Sequence, residues 1–506
     1  MVGGYLIAGV LLVAIRYGLM RALRPVRRYL DAGPWGDALA YFLQIQYYRR
    51  HSGAEPDSRC LFRGNTLHTP SWYHRLALHL CADATLWSKP WQPNLVIYAG
   101  GVACLLLLAA PLLPAAPLLP AGGYAPLALL ALMFLAQSDN SRFDERTIHY
   151  LTIQPRLLGL VALSVHAALF ALMPSMGVTL LGGSLAVLVA LNTSVFSRQV
   201  AYFVLPLASL LAWNAVPLLN LTIATALSLL LNRAEFMQSF GAHVRYARWY
   251  FRNFYAPRTG SGLSYLVRRS FAPPAKFLPR YADSGLALIL LVAVLKRGSD
   301  PFAARAAAMI GAALIVCGVT ALRKFASLGE CWRYLSFSCW LLTPLALVHA
   351  VFALQIHVWL AALIATLVLL ANVLRSLRAV DGQLSNPNPE IAALLHGAFG
   401  QDSARPAVWW SAHYRYGSIA VALGYGASTF EIQGTDLSED VMVNLFARYP
   451  YLHCSEQFFD AHRVTHLLIS KREWPADLYG SIEQLLGAYR VLAENADFVI
   501  LARPHA

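Results

Sequence analysis

The chain has 506 residues, 58% of them apolar and only 13% charged, with a mean hydropathy of +0.50. A soluble protein carries about a quarter charged residues, so a soluble enzyme, a secreted disulfide scaffold and a disordered chain are excluded. Lys and Arg exceed Asp and Glu by 40 to 26, a net charge of +14. These cations crowd into a few loops, where they suit anionic headgroups or a phosphate-bearing substrate; most of the chain could never reach a nucleic acid.

In chain order, the first apolar stretch of the about 20 residues a span requires is 2–20. Arg16 interrupts it and can snorkel to an interface. It has no small-residue cleavage site, so it reads as a retained anchor. The polar segment 21–90 follows. After the break Gly33-Pro34-Trp35-Gly36, DALAYFLQIQYYRR (37–50) predicts a helix with Asp37 at its N-cap. Ala40, Phe42, Leu43, Tyr47 and Tyr48 give it an apolar side suited to the interface plane. LHTPSWYHRLALHL (67–80) predicts a second amphipathic helix behind Pro70, with His74 near its start. Cys60 and Cys81 share this loop and could pair in an oxidising compartment.

Residues 90–138 contain no Asp, Glu, Lys, Arg or His, and the Pro/Gly run from Pro111 to Gly123 splits them into spans near 95–113 and 120–137. The polar loop 138–156 then compresses Asp139, Asp144 and Glu145 with Arg142, Arg146 and Arg156. Carboxylates there can bind a divalent cation or accept a proton, and arginines suit phosphate oxygens. The loop could equally be a self-neutralising ion cluster. Further spans are expected near 157–174, 178–196, 199–214, 216–231, 284–297, 303–322, 332–353 and 355–375, eleven in all. The loop 232–283 is strongly basic, and Arg245 and Arg248 sit among the aromatics of VRYARWYFRNFY. This segment reads as an interfacial helix, a cradle for a lipid-linked phosphate, or both.

From 377 the material changes. Asn386-Pro387-Asn388-Pro389 is a linker, and β-like runs at 407–411, 418–423, 464–470 and 497–502 alternate with helical stretches at 438–448 and 477–489. The ending YRVLAENADFVILARP predicts strand, turn, strand. The fold class is thus an α-helical polytopic membrane protein with a C-terminal soluble α/β domain: 1–376 in the membrane, 377–506 outside it. With eleven spans, all four polar segments (21–90, 138–156, 232–283 and the tail) fall on one side. The positive-inside rule would make that side cytoplasmic. HExxH, CxxC, Walker A and GxSxG are absent.

GDALAYFLQIQYYRRHSG with TPSWYHRLALHL, FDERTIHYLTIQPRLLG, and the tail segments VTHLLIS and YRVLAENADFVILARP together resemble the GT-C superfamily of polytopic glycosyltransferases. The resemblance implies a polyprenyl-phosphate-linked sugar as donor and a lipid, glycan or protein as acceptor. It also implies that the polar loops and the tail face the periplasm of a bacterial inner membrane, against the positive-inside rule. Asp37 would be the catalytic carboxylate of the first loop, with Asp144 or Glu145 the acid of the second. Arg146, Arg156, Arg245 and Arg248 would contact the donor phosphate, and Asp139, His74 and Tyr41 the acceptor or sugar. Asp144 and Glu145 are adjacent and form no DxD, which leaves a metal open, and Trp409-Trp410 is followed by Ser411, not the Asp of oligosaccharyltransferases. The alternatives are a flippase for a lipid-linked sugar and a non-catalytic subunit of an envelope-assembly complex. A transporter would place more ionisable residues inside its spans.

Overall fold

Each of the eleven apolar stretches contains a helix among its described residues. The computed structural model describes residues 2–50, 65–67, 70–112, 125–141, 152–250, 274–321, 331–380, 386–400, 407–428, 435–437, 456–474 and 481–504. The anchor helix is α1 (Val2–Ala22), followed by the first-loop elements α2 (Arg24–Asp31), α3 (Asp37–Arg50), β1 (Asn65–Leu67), α4 (Trp72–Leu80) and α5 (Asp83–Ser88). Next come α6 (Gln92–Ala109), α7 (Ala125–Ala136), the short α8 (Ser138–Ser141), α9 (Pro155–Leu172), α10 (Met176–Leu191), α11 (Val195–Ala212) and α12 (Val216–Tyr250). The membrane part closes with α13 (Pro274–Arg297), α14 (Pro301–Ala321), α15 (Trp332–Cys339), α16 (Leu342–Ala353) and α17 (Val358–Val380).

Among the described residues, seven of these helices are long and apolar enough to cross a membrane, and α15 with α16 makes an eighth as a bent pair. α10, of 16 residues, falls short of a full crossing, and α7 is described over 12 residues. The expected single span 332–353 is broken, with a 65° bend between α15 and α16. Pro344 explains the break: it has no N–H to donate and its ring clashes with the carbonyl four residues back, that of Trp340. α12 runs past the expected end at 231 into the basic segment, kinking at Asn232 (φ −155°, ψ 66°). Asn232 acts there as an internal N-cap: its side-chain oxygen accepts from the Glu235 N–H, and its amide donates to the Glu235 carboxylate.

α9 is the most enclosed of the candidate spans, with 72% of its apolar window buried against 17% for α1 and α17. Close approach makes this possible. A Cβ on Gly159 of α9 would stand 1.8 Å from Ser197 Oγ of α11. Glycine is therefore required where these two helices meet.

The tail contributes α18 (Asn388–Phe399), β2 (Val408–Trp410), α19 (Tyr414–Ala422), β3 (Ala427–Ser428), β4 (Thr435–Leu437), α20 (Glu456–Ala461), β5 (His466–Ser470), α21 (Ile482–Ala488), β6 (Arg490–Glu494) and β7 (Phe498–Ala502). Its sheet has the order β3-β2-β5-β7-β6, parallel at β3-β2-β5 and antiparallel at β5-β7-β6. The β6–β7 turn is as expected: the Asn495 side chain accepts from the N–H groups of Asp497 and Phe498. The expected strand 418–423 is instead part of α19. Its run of apolar residues is buried on every side, and such a run does not distinguish strand from helix. The expected helix 438–448 lies outside the described residues.

β1 of the first loop pairs antiparallel with β4 of the tail, Thr66 opposite Asp436. Those two polar segments therefore share one end of the bundle. If so, the Thr66→Cys/Asp436→Cys protein should form an intramolecular disulfide on mild oxidation, since directly opposed strand residues come within bonding range. Peptide mass spectrometry checks this, and loss of the cross-link under all oxidants would contradict the pairing. Gly159→Val should cost about 1–3 kcal/mol by overpacking, visible as a lowered Tm in detergent. An unchanged Tm would mean that α9 and α11 are not so close.

Candidate active site

The segment before α3 sets the position of its first residue. Gly33, with φ +95°, turns the chain, and a Cβ there would press on Asn388 and Trp87 at 3.3 Å. Asn388 donates to the Pro34 carbonyl at 2.7 Å, and Asn386 donates to those of Tyr29 and Gly33. Trp35 stacks on Tyr416 with centroids 5.7 Å apart. The tail is thereby fastened to the turn that introduces α3. This corrects the one-sided interfacial helix expected at 37–50: residues 38–46 are all buried, Gln44 and Gln46 included. The cover comes from α4, α5 and the tail's α19.

Asp37 opens α3, and both of its carboxylate oxygens are bound by arginines. Arg156 reaches Oδ2 at 3.2 Å and Arg415, from α19, reaches Oδ1 at 2.9 Å. The side chains are 17%, 12% and 25% exposed respectively, so the pairs are shielded from bulk water but reachable. Arg156 is the second residue of α9, after Pro155. Its position is fixed from below. Tyr73 of α4 accepts from the Gln154 N–H at 3.0 Å and donates to Asn94 of α6 at 2.8 Å, while Asn94 donates to the Thr152 carbonyl. The Arg156 guanidinium lies over the Phe196 ring at 4.6 Å, and Arg333 of α15 lies over the same ring at 3.8 Å. Phe196 thus gathers two cations by their faces and leaves their N–H edges for other partners.

Tyr41, one turn along α3, is buried among Arg156, Asp37 and Arg333, and is hydrogen-bonded to Arg156. Burial raises its phenol pKa, Arg156 pulls it down, Asp37 adds to the rise and Arg333 opposes it. It stays a neutral donor. His74 is fully buried between Tyr41, Tyr48 and Tyr73, with ring centroids 5.8–5.9 Å away. Burial lowers its pKa to about 4, against the Pro70 carbonyl, which raises it. A carbonyl can only accept, so the Nδ1 that meets Pro70 O at 3.2 Å carries the proton. His413, beside Arg415, is likewise lowered to about 4 by burial and by that guanidinium. Neither histidine adds positive charge to the site.

α4 is held by a second polar cluster. The Ser71 N–H donates to Glu235 of α12 at 2.8 Å, Arg75 pairs with the same carboxylate at 3.4 Å, and the Trp72 N–H donates to the Asn192 carbonyl. Contacts from the first loop, the start of α9, the extension of α12 and the tail therefore all meet at one end of the bundle.

Of the residues expected from sequence, Asp37, Arg156, Tyr41 and His74 come together. Asp139 does not join them in any described contact. Its carbonyl accepts from Arg16 at 3.4 Å, and it lines a cavity of about 40 Å³ with Arg16, Asn94, Tyr98 and Trp340. Arg245 is exposed on the extension of α12. Asp144, Glu145 and Arg146, the side chain of Arg248, and Cys60 lie outside the described residues; Cys81 is a free thiol. Among the described residues no three His, Cys, Asp or Glu side chains gather as a metal site. Sequence patterns did not single out Arg333 or Arg415. Arg333 interrupts an apolar span, and an ionisable residue inside a span is itself a functional signal; Arg415 carried none.

A histidine whose folded pKa lies below its unfolded value costs stability on acidification. The stability is fully present above about pH 6.5 and is lost as the pH falls toward 4, because the unfolded chain binds protons that the folded one refuses. His74→Asn should therefore lose less Tm than the parent between pH 6.5 and 4.5, and equal losses would contradict a neutral buried His74.

No protein family and no curated protein matches the sequence. Solved structures do. ArnT from Cupriavidus metallidurans in the apo state aligns over 97% of both chains with a TM-score of 0.56 at 13% identity. The same protein bound to undecaprenyl phosphate aligns over 97% of both chains with a TM-score of 0.52 at 14% identity. The chain is an integral membrane protein that shares the polytopic fold of these ArnT structures.

Proposed function

We propose that this protein is a membrane glycosyltransferase that moves a sugar from a polyprenyl-phosphate-linked donor to a lipid, glycan or protein acceptor on the extracytoplasmic face. The observation that carries this reading is the convergence of Arg156, Arg333 and Arg415 on Asp37 and Tyr41. Three cations gather around Asp37 and Tyr41, placed where the spans end. A lipid whose chain lies in the bilayer and whose phosphate lies at its surface fits that placement. ArnT bound to undecaprenyl phosphate, a protein of the same fold, supports the choice of lipid.

The chemistry needs little more. The acceptor hydroxyl attacks the anomeric carbon, the bond from that carbon to the phosphate oxygen breaks, and the electron pair leaves with the polyprenyl phosphate. Arginines fixed against Phe196 and the tail stabilise the charge that develops on the leaving oxygen. Asp37 takes the hydroxyl proton, with Tyr41 as a neutral donor beside it and His74 as an uncharged wall. Asp144 and Glu145 belong to the segment that leads into Arg156, and we assign them to the acceptor side. Arg146 is assigned to the donor phosphate.

Purified protein supplied with polyprenyl-phosphate sugars and a panel of acceptors tests the reading. Asp37→Asn should lower transfer by about 10²–10⁴-fold, and Arg333→Gln should lower kcat/KM for the donor while Arg333→Lys partly restores it. Full activity in both Asp37→Asn and Arg333→Gln would refute it.

A further inference from the structure

Both oxygens of Asp37 are engaged by arginine, Oδ1 by Arg415 and Oδ2 by Arg156. In the transferase reading the same two guanidiniums hold the donor phosphate. Carboxylate and the donor's phosphodiester offer arginine the same singly charged two-oxygen face, and the phosphomonoester of the released lipid brings more charge and a further oxygen. The two anions therefore compete for one seat.

We infer that the Asp37 carboxylate is a stand-in for the donor's phosphate: it occupies the anion seat between Arg156 and Arg415 until a polyprenyl phosphate displaces it, and only then turns to the acceptor. This rests on the transferase reading and adds an order to it, donor before acceptor. The surroundings permit the exchange. Arg156 is held over Phe196 and by the Tyr73–Gln154 link, so it keeps its place when Asp37 leaves. The tail stays docked through Trp35–Tyr416 and the asparagines at 386 and 388, so Arg415 can change partners without release of its domain. Asp37 is at the first position of α3, where a χ1 rotation moves its carboxylate without moving the helix. The consequence is protective: without donor, Asp37 is not turned toward water or an acceptor.

The test is a titration of the full chain in lipid nanodiscs with undecaprenyl phosphate, with the uncharged polyprenol as control. Removing a competing anion should tighten binding, so Asp37→Asn should bind the phosphate about ten-fold more strongly than the parent, a change of about 1.4 kcal/mol. Arg156→Gln and Arg415→Gln should each weaken it. Loss of the acid could destabilise the protein by leaving two cations facing each other. The same change is therefore made also in the Arg415→Gln background, where it should again tighten binding. Binding that is unchanged or weaker in Asp37→Asn, in both backgrounds, would overturn the stand-in and leave Asp37 as an ordinary structural tie. If the parent itself prefers the phosphate no more than the polyprenol, the transferase reading falls and takes this inference with it, a pattern distinct from binding without tightening.

Discussion

Three guanidiniums cannot share a partly buried space without an anion among them. Their mutual repulsion and their loss of hydration would otherwise exceed what packing returns. In this protein Asp37 meets that requirement, and its position follows from it. The cost of bringing Arg156 and Arg333 together is lowered further by Phe196, whose ring faces attract both cations. The site is thus an electrostatic balance that a ligand of the same sign as Asp37 can enter.

The rest of the architecture holds the four arms of that balance. Asp37 is delivered by a turn that the tail grips through Asn386 and Asn388, and Arg156 by a helix start bonded to Tyr73 and Asn94. Arg333 follows from a span broken by Pro344, and Arg415 from a buried tail helix. The opposite end of the bundle is simpler. There Arg305 donates to the last carbonyls of α9, and Asp300 caps α14 while pairing with His349 at 2.7 Å. These contacts close helix ends.

The membrane architecture was legible because a charge-free apolar run of about 20 residues points to little besides a membrane span, and parity then put the polar segments together. Asp37 was marked by the Gly-Pro-Trp-Gly break before its helix, Arg156 by its place in the charged second loop, and the site role of both came from the family resemblance. What the sequence concealed depends on distant partners. The burial of α3 is completed by tail residues more than 300 positions away, so its own pattern reads as interfacial. Arg415 has no neighbours in sequence that hint at its reach to Asp37. Arg333 was visible as a charge inside an apolar run, but its place over Phe196 depends on a partner from a distant span.

The central claim is that the arginine cluster at Asp37 is a seat for a lipid-borne phosphate. A cryo-EM map of the full chain in nanodiscs with undecaprenyl phosphate tests it most directly. Phosphate density within hydrogen-bond distance of Arg156 and Arg415 or Arg333, with the isoprenoid chain running down into the bundle, is the result the account predicts. Density for the headgroup elsewhere, with Asp37 still paired to both arginines, would contradict it.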